Sequence, residues 1–134
     1  NRHENKEKQA LRRVLVVDND RVMRSLLTAI LKTLGAEVVG EAENGEEAVE
    51  AYERYQPDVT FLDINMPVKN GVFALREIIL QNPIAKVIML TANDDTSVAE
   101  SCIYLGARNY IIKGEGPEDL KQNLSAVLGP IEKS

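Results

Sequence analysis

The chain has 134 residues, which suits one domain, and its 44% hydrophobic and 28% charged content favours a packed core over disorder. Aromatics are only 4%, with no Trp, which excludes a surface that reads single-stranded nucleic acid or sugars by stacking. The net charge of -5 is unevenly spread: residues 1–13 carry +3 and the rest -8, too acidic for direct nucleic-acid binding by this domain.

Residues 1–10 are polar and unpatterned and read as an N-terminal extension; His3 stands alone there, without a metal-binding or catalytic partner. Residues 11–130 read as the folded domain and 131–134 as a tail. Leu11–Val17 is a strand ending at Asp18, with Asn19 and Asp20 next. Val22, Leu26, Ala29, Ile30 and Thr33 recur at helical spacing as a core stripe, with Gly35 as the stop. Met23, Leu27 and Leu34 form a second stripe, read either as ordinary burial or as a docking face for a partner helix.

Glu37–Ala42 is a second strand, and Asn44 precedes a Glu-rich helix to about Tyr55, broken at Pro57. The acidic run Glu41–Glu53 reads as a solvated face. Asp58–Leu62 is a third strand closing on Asp63; Pro67, Asn70 and Gly71 mark a loop before a helix from about Val72 to Gln81. Ala85–Leu90 is a buried strand ending at Thr91, and Asp94 or Asp95 caps a helix to about Leu105. Arg108–Ile112 is the fifth strand, ending at Lys113, and Gly116-Pro117 opens a last helix to about Leu128.

Strands alternating with helices predict an α/β fold, a parallel sheet covered on both faces. Ligands of such sheets bind beyond the carboxyl ends of the strands, where strand order reverses. Asp18, Asp63, Thr91 and Lys113 all follow strands there. Carboxylates suit a hard cation such as Mg²⁺, while a hydroxyl and an ammonium suit a phosphoryl group. The bland reading of Asp18 to Asp20 is a helix cap; four such strand ends together argue against it.

The segments Val-Leu-Val-Val-Asp18-Asn19-Asp20, Asp58-Val-Thr-Phe-Leu-Asp63-Ile-Asn-Met-Pro67, Val-Ile-Met-Leu-Thr91-Ala92 and Tyr110-Ile-Ile-Lys113 resemble the four signatures of the response-regulator receiver domain, in order, over residues 11 to about 128. The resemblance implies a flavodoxin-like doubly wound sheet of five parallel strands, order 2-1-3-4-5, with five helices. It implies that Asp63 accepts a phosphoryl group from a sensor histidine kinase or histidine phosphotransfer protein. Mg²⁺, with Mn²⁺ as an alternative, would be held by Asp18, Asn19, Asp63 and the backbone carbonyl of Asn65. Lys113 would pair with the phosphoryl oxygens, Thr91 would hydrogen-bond them, and Tyr110 would change rotamer as Thr91 moves. Met23 and Leu27 would then belong to the kinase-docking face. Such a protein catalyses its own phosphorylation and dephosphorylation without being a turnover enzyme on external substrates.

Three departures stand out. Asn19 replaces a carboxylate that usually ligates the metal, so Mg²⁺ affinity should be weaker. Gly114 follows Lys113 where many receivers have proline. The chain stops at Ser134 without an output domain, and does not begin with Met, which reads as a stand-alone receiver or one excised from a longer protein. Asn65 and Asn93, at positions that tune phosphoryl lifetime in receivers, cannot act as acid or base, so fast self-dephosphorylation is not expected. Phosphorylation-dependent homodimerisation through the fourth and fifth helices is a family habit, not something these residues show.

The rival readings are a degenerate receiver that only binds proteins, an aspartyl-phosphate phosphohydrolase and a flavodoxin-like cofactor binder. Asn65 stands where a phosphohydrolase of the haloacid dehalogenase type needs a second Asp. The acidic residues after the first strand would repel a cofactor phosphate. The single Cys102 excludes an internal disulfide and reads as a small buried hydrophobe. With no apolar run long enough to span a bilayer and no signal peptide, the expected setting is cytoplasmic, away from membranes.

Overall fold

The computed structural model describes residues 12–92 and 96–129. The elements run β1 (Arg12–Val17), α1 (Arg21–Thr33), β2 (Ala36–Ala42), α2 (Gly45–Tyr55), β3 (Val59–Asp63), α3 (Gly71–Gln81), β4 (Val87–Thr91), α4 (Thr96–Tyr104), β5 (Asn109–Ile112), a 3₁₀ turn (Lys113–Glu115) and α5 (Pro117–Leu128). All strand pairs are parallel and the order is β2-β1-β3-β4-β5, as the flavodoxin-like reading expects.

Strand alternation divides the core in two. Leu15, Val17, Leu62 and Met89 face α2, α3 and α4, packing with Ala48, Tyr52, Leu75, Ile78, Ala99 and Cys102. Val14, Val16, Phe61, Ile88 and Leu90 face α1 and α5, packing with Leu27, Leu31, Leu120 and Leu124. The central strands are mostly apolar because helices cover both their faces, with Thr60, Asp63 and Thr91 as buried polar exceptions on β3 and β4. On the β2 edge the register slips between Val14 and Leu15, and Gly40 lies under the Tyr55 ring, where a Cβ would come within 2.8 Å.

Helix starts follow side-chain chemistry. Asp20 caps α1 by accepting from Val22 N at 2.9 Å, and Asn70 caps α3 by accepting from Phe73 N at 3.1 Å. At α2, Asn44 caps the helix by accepting from Glu47 N at 2.8 Å, while the Glu47 carboxylate reaches back past the cap to accept from Glu43 N at 3.1 Å. Gly35 takes up the left-handed position after α1, with φ 88°. The expected caps Asp94 and Asp95 lie outside the described residues.

Helix α1 corrects two expectations. Its buried residues are Leu27, Ile30 and Leu31, with Met23, Leu26 and Leu34 half-buried against the same cluster. Val22 is 77% exposed, and Ala29 and Thr33 face solvent. The helix is turned by about one residue, so that leucines replace Ala29 and Thr33 against the sheet and more apolar surface leaves water. Leu27 is therefore a fully buried core residue and cannot form part of a docking face. The acidic run is solvated as expected, its glutamates exposed, while Glu41, Glu43 and Glu47 also hold local partners.

Candidate active site

The carboxyl ends of β1, β3, β4 and β5 carry Asp18, Asp63, Thr91 and Lys113, on both sides of the point where strand order reverses. Asp18, Asp63 and Thr91 are almost completely buried. The Lys113 Nζ joins the two carboxylates, 3.0 Å from Asp18 Oδ2 and 3.1 Å from Asp63 Oδ1. Asp18 Oδ1 accepts from Asp20 N at 2.9 Å, and the Asp18 N–H donates to Ala42 O at 3.1 Å.

The electrostatics follow from two buried anions sharing one cation. Burial, and next the Asp18 charge, push the Asp63 carboxyl up to about 6, against the opposing pull of Lys113 and of the Asn65 backbone. Burial works to lower the Lys113 ammonium, but the Asp63 and Asp18 charges outweigh it and hold it above its ordinary range.

The remaining candidates sit around this triad. Thr91 ends β4, its hydroxyl donating to Ala92 O at 3.2 Å. Asn19 and Asn65 are exposed at the rim. Tyr110 on β5 is half-buried against the α2–α4 side of the core. Met23 is half-buried near the start of α1. Asn93 lies outside the described residues.

Residues that sequence reasoning passed over position the site. The Arg24 Nη1 donates to the Asp18 carbonyl at 2.6 Å. Gly71 N donates to Ile64 O at 2.8 Å, and a Cβ at Gly71 would stand 2.1 Å from the Asp63 carbonyl oxygen. Gly45 N donates to Lys69 O at 2.6 Å, and a Cβ there would be 2.2 Å from the same oxygen. The loop after Asp63 is thus fixed by two glycines against which backbone packs directly.

The donor set fits a hard divalent cation. Two buried carboxylates sharing one ammonium leave uncompensated negative charge, and main-chain and amide oxygens of Asn65 and Asn19 are hard ligands of the same class. Among the described residues no group of three or more His, Cys, Asp or Glu is placed to hold a metal, so the candidate set here is two carboxylates completed by amide and main-chain oxygens. No described helix is long and apolar enough to cross a membrane.

A family model described as the response regulator receiver domain matches residues 14–125. The chain is 41% identical over 117 residues to Protein CcdB of Bacillus subtilis, covering 87% of this chain and 98% of that one. It is 40% identical over 116 residues to the chemotaxis protein CheY of Thermotoga maritima, covering 87% and 97%. Among solved structures, the receiver domain of a Pseudomonas aeruginosa sensor histidine kinase, with a magnesium ion coordinated in its active-site cleft, matches with a TM-score of 0.74 and 30% identity, covering 89% of this chain and 98% of that one.

Proposed function

Because this chain belongs to the response-regulator receiver family of two-component signalling, we propose that it is a phosphorylation-controlled switch: Asp63 takes a phosphoryl group from a phosphohistidine in a Mg²⁺-dependent reaction. The donor is a sensor histidine kinase or a histidine phosphotransfer protein. The observation that carries the reading is the Lys113 ammonium seated between the buried carboxylates of Asp18 and Asp63.

Asp18, Asp63, the Asn65 carbonyl and Asn19 would hold Mg²⁺, or Mn²⁺ in its stead. When bound, the ion offsets the charge that otherwise keeps an anionic phosphoryl group away from an anionic nucleophile. An Asp63 carboxylate oxygen attacks phosphorus as the P–N bond breaks. The departing ring nitrogen keeps that electron pair, and the imidazole leaves neutral because its other nitrogen carries a proton. Lys113 exchanges a carboxylate contact for a phosphoryl oxygen. The Thr91 hydroxyl turns from Ala92 O to the phosphoryl group, and Tyr110 repacks in response. The site thereby biases two conformations of the face formed by α4, β5 and α5, which signals to an output domain or downstream protein. Asn65 and Asn93 supply no base for an attacking water, so the acyl phosphate is long-lived. Met23 remains as the docking residue of α1, and the domain works in the cytoplasm without binding nucleic acid itself.

One observation favours a second reading, a receiver that acts by binding alone: Asn19 removes a charge from the metal site. Borohydride reduction after incubation with acetyl phosphate and Mg²⁺ separates the two. Conversion of residue 63 to homoserine, mapped by peptide mass spectrometry, is the expected result. Reduction at another residue, or at none, contradicts the phosphoacceptor role.

A further inference from the structure

Asp18 is fixed at every polar atom. Its N–H donates to Ala42 O, its Oδ1 accepts from Asp20 N, its Oδ2 contacts Lys113, and its carbonyl accepts from Arg24 Nη1 at 2.6 Å. The last contact comes from across the first turn of α1. Arg24 is itself fastened from the far side: its Nε donates to Glu41 Oε1 at 3.2 Å and its Nη2 lies 4.0 Å from Glu43 Oε2. Its side chain is only 13% exposed, although it ends in a charge.

By charge alone this placement is unfavourable to the proposed chemistry. A guanidinium next to a divalent-cation site repels the ion, and Glu41 and Glu43 only offset that repulsion. What the guanidinium contributes instead is geometry. The Asp18 carbonyl belongs to the peptide that joins Asp18 to Asn19, so holding it fixes the direction in which both side chains leave the turn. With a neutral amide at Asn19, cation affinity has less charge to draw on and depends more on oxygens already in place.

We propose that Arg24 is a positioning residue of the phosphoryl-transfer site, which, anchored by Glu41 and Glu43, locks the Asp18–Asn19 peptide for cation binding. The inference rests on the Mg²⁺-dependent reading above.

The test is calorimetric titration of Mg²⁺ into the full chain, for wild type, Arg24→Ala and Arg24→Lys, with thermal melts of each in EDTA. Arg24→Ala is expected to weaken Mg²⁺ binding about tenfold, the usual scale for losing a group that orients a ligand. Arg24→Lys keeps the charge but cannot hold the carbonyl and Glu41 together, and is expected to weaken it roughly threefold. An unchanged affinity with a lowered melting temperature makes Arg24 only a brace and overturns the proposal. A tighter affinity in Arg24→Ala means that charge alone matters and overturns it too. Should Arg24→Ala fail to fold, Arg24→Lys carries the test, and an affinity equal to the wild type's overturns the proposal. Absence of Mg²⁺ binding by the wild type overturns the parent reading and this inference with it, whereas wild-type binding with no change in either variant overturns this inference alone.

Discussion

Asp18 and Asp63 end neighbouring strands and share one counter-ion, the Lys113 ammonium at 3.0 and 3.1 Å. Two buried anions on one cation is an under-compensated arrangement, and burying charge without full compensation is costly. Such a site is held by the rest of the fold and is ready for added positive charge, which is the property a cation-dependent phosphoryl acceptor needs.

The first consequence concerns pH. The Asp63 carboxyl is raised from 3.8 to about 6, so the folded chain holds its proton more tightly than the unfolded one. Its stabilising contribution is therefore complete below pH 3.8 and is lost as pH rises through about 6. In EDTA, Asp63→Asn should match the wild type near pH 4 and exceed it above pH 7 by on the order of 2 kcal/mol. Urea melts across that range check it; a constant difference would contradict the origin assigned to the shift.

Asn19→Asp restores a third carboxylate at the rim. Mg²⁺ affinity by calorimetry should tighten by about tenfold, since ligand charge count sets affinity at hard-cation sites. In EDTA the same variant should melt lower than wild type, because it adds an anion to a site already in excess. Unchanged affinity would mean that Asn19 does not reach the ion.

Gly71→Ala places a Cβ 2.1 Å from the Asp63 carbonyl oxygen, and the obstacle is backbone, not a side chain that can turn away. A loss of about 3 kcal/mol in denaturant unfolding is expected, at the upper end of ordinary substitutions. Phosphoryl uptake should slow even at temperatures where the variant is folded, because the displaced strand end carries Asp63, the proposed nucleophile.

Val68 sits in the loop after Asp63 with φ 67° and is 70% exposed. A β-branched residue is strained in that conformation, and exposure removes any packing that would compensate. Val68→Gly should gain about 0.5–1 kcal/mol after the entropy of the unfolded glycine is counted. Urea melts of the two chains measure it directly; a loss would mean that Val68 packs against something in the folded state.

The strand ends were legible because each apolar run stops at a polar residue: Val17 before Asp18, Leu62 before Asp63, Leu90 before Thr91, Ile112 before Lys113. The face of α1 was not. Apolar residues at 22, 23, 26, 27, 29, 30, 31 and 34 cover more than half the helix surface, so periodicity leaves the rotation open by about one residue. Side-chain size settled it in favour of Leu27 and Leu31. Arg24 was illegible for a different reason. Its main partner is a backbone carbonyl, which every residue has, so no residue type in the sequence marks the contact. Gly71 looked like an ordinary turn residue, but what requires glycine there is the close approach of the Asp63 carbonyl.

The central claim is that Asp63 is a Mg²⁺-dependent phosphoryl acceptor, and the intact mass of the chain tests it most directly. Wild type and Asp63→Asn are incubated with acetyl phosphate, with Mg²⁺ and with EDTA. One added phosphoryl group in the wild type with Mg²⁺, and none in EDTA or in the variant, is the expected result. A wild-type mass that stays unchanged at every Mg²⁺ concentration would contradict the claim and leave a receiver that acts by binding alone.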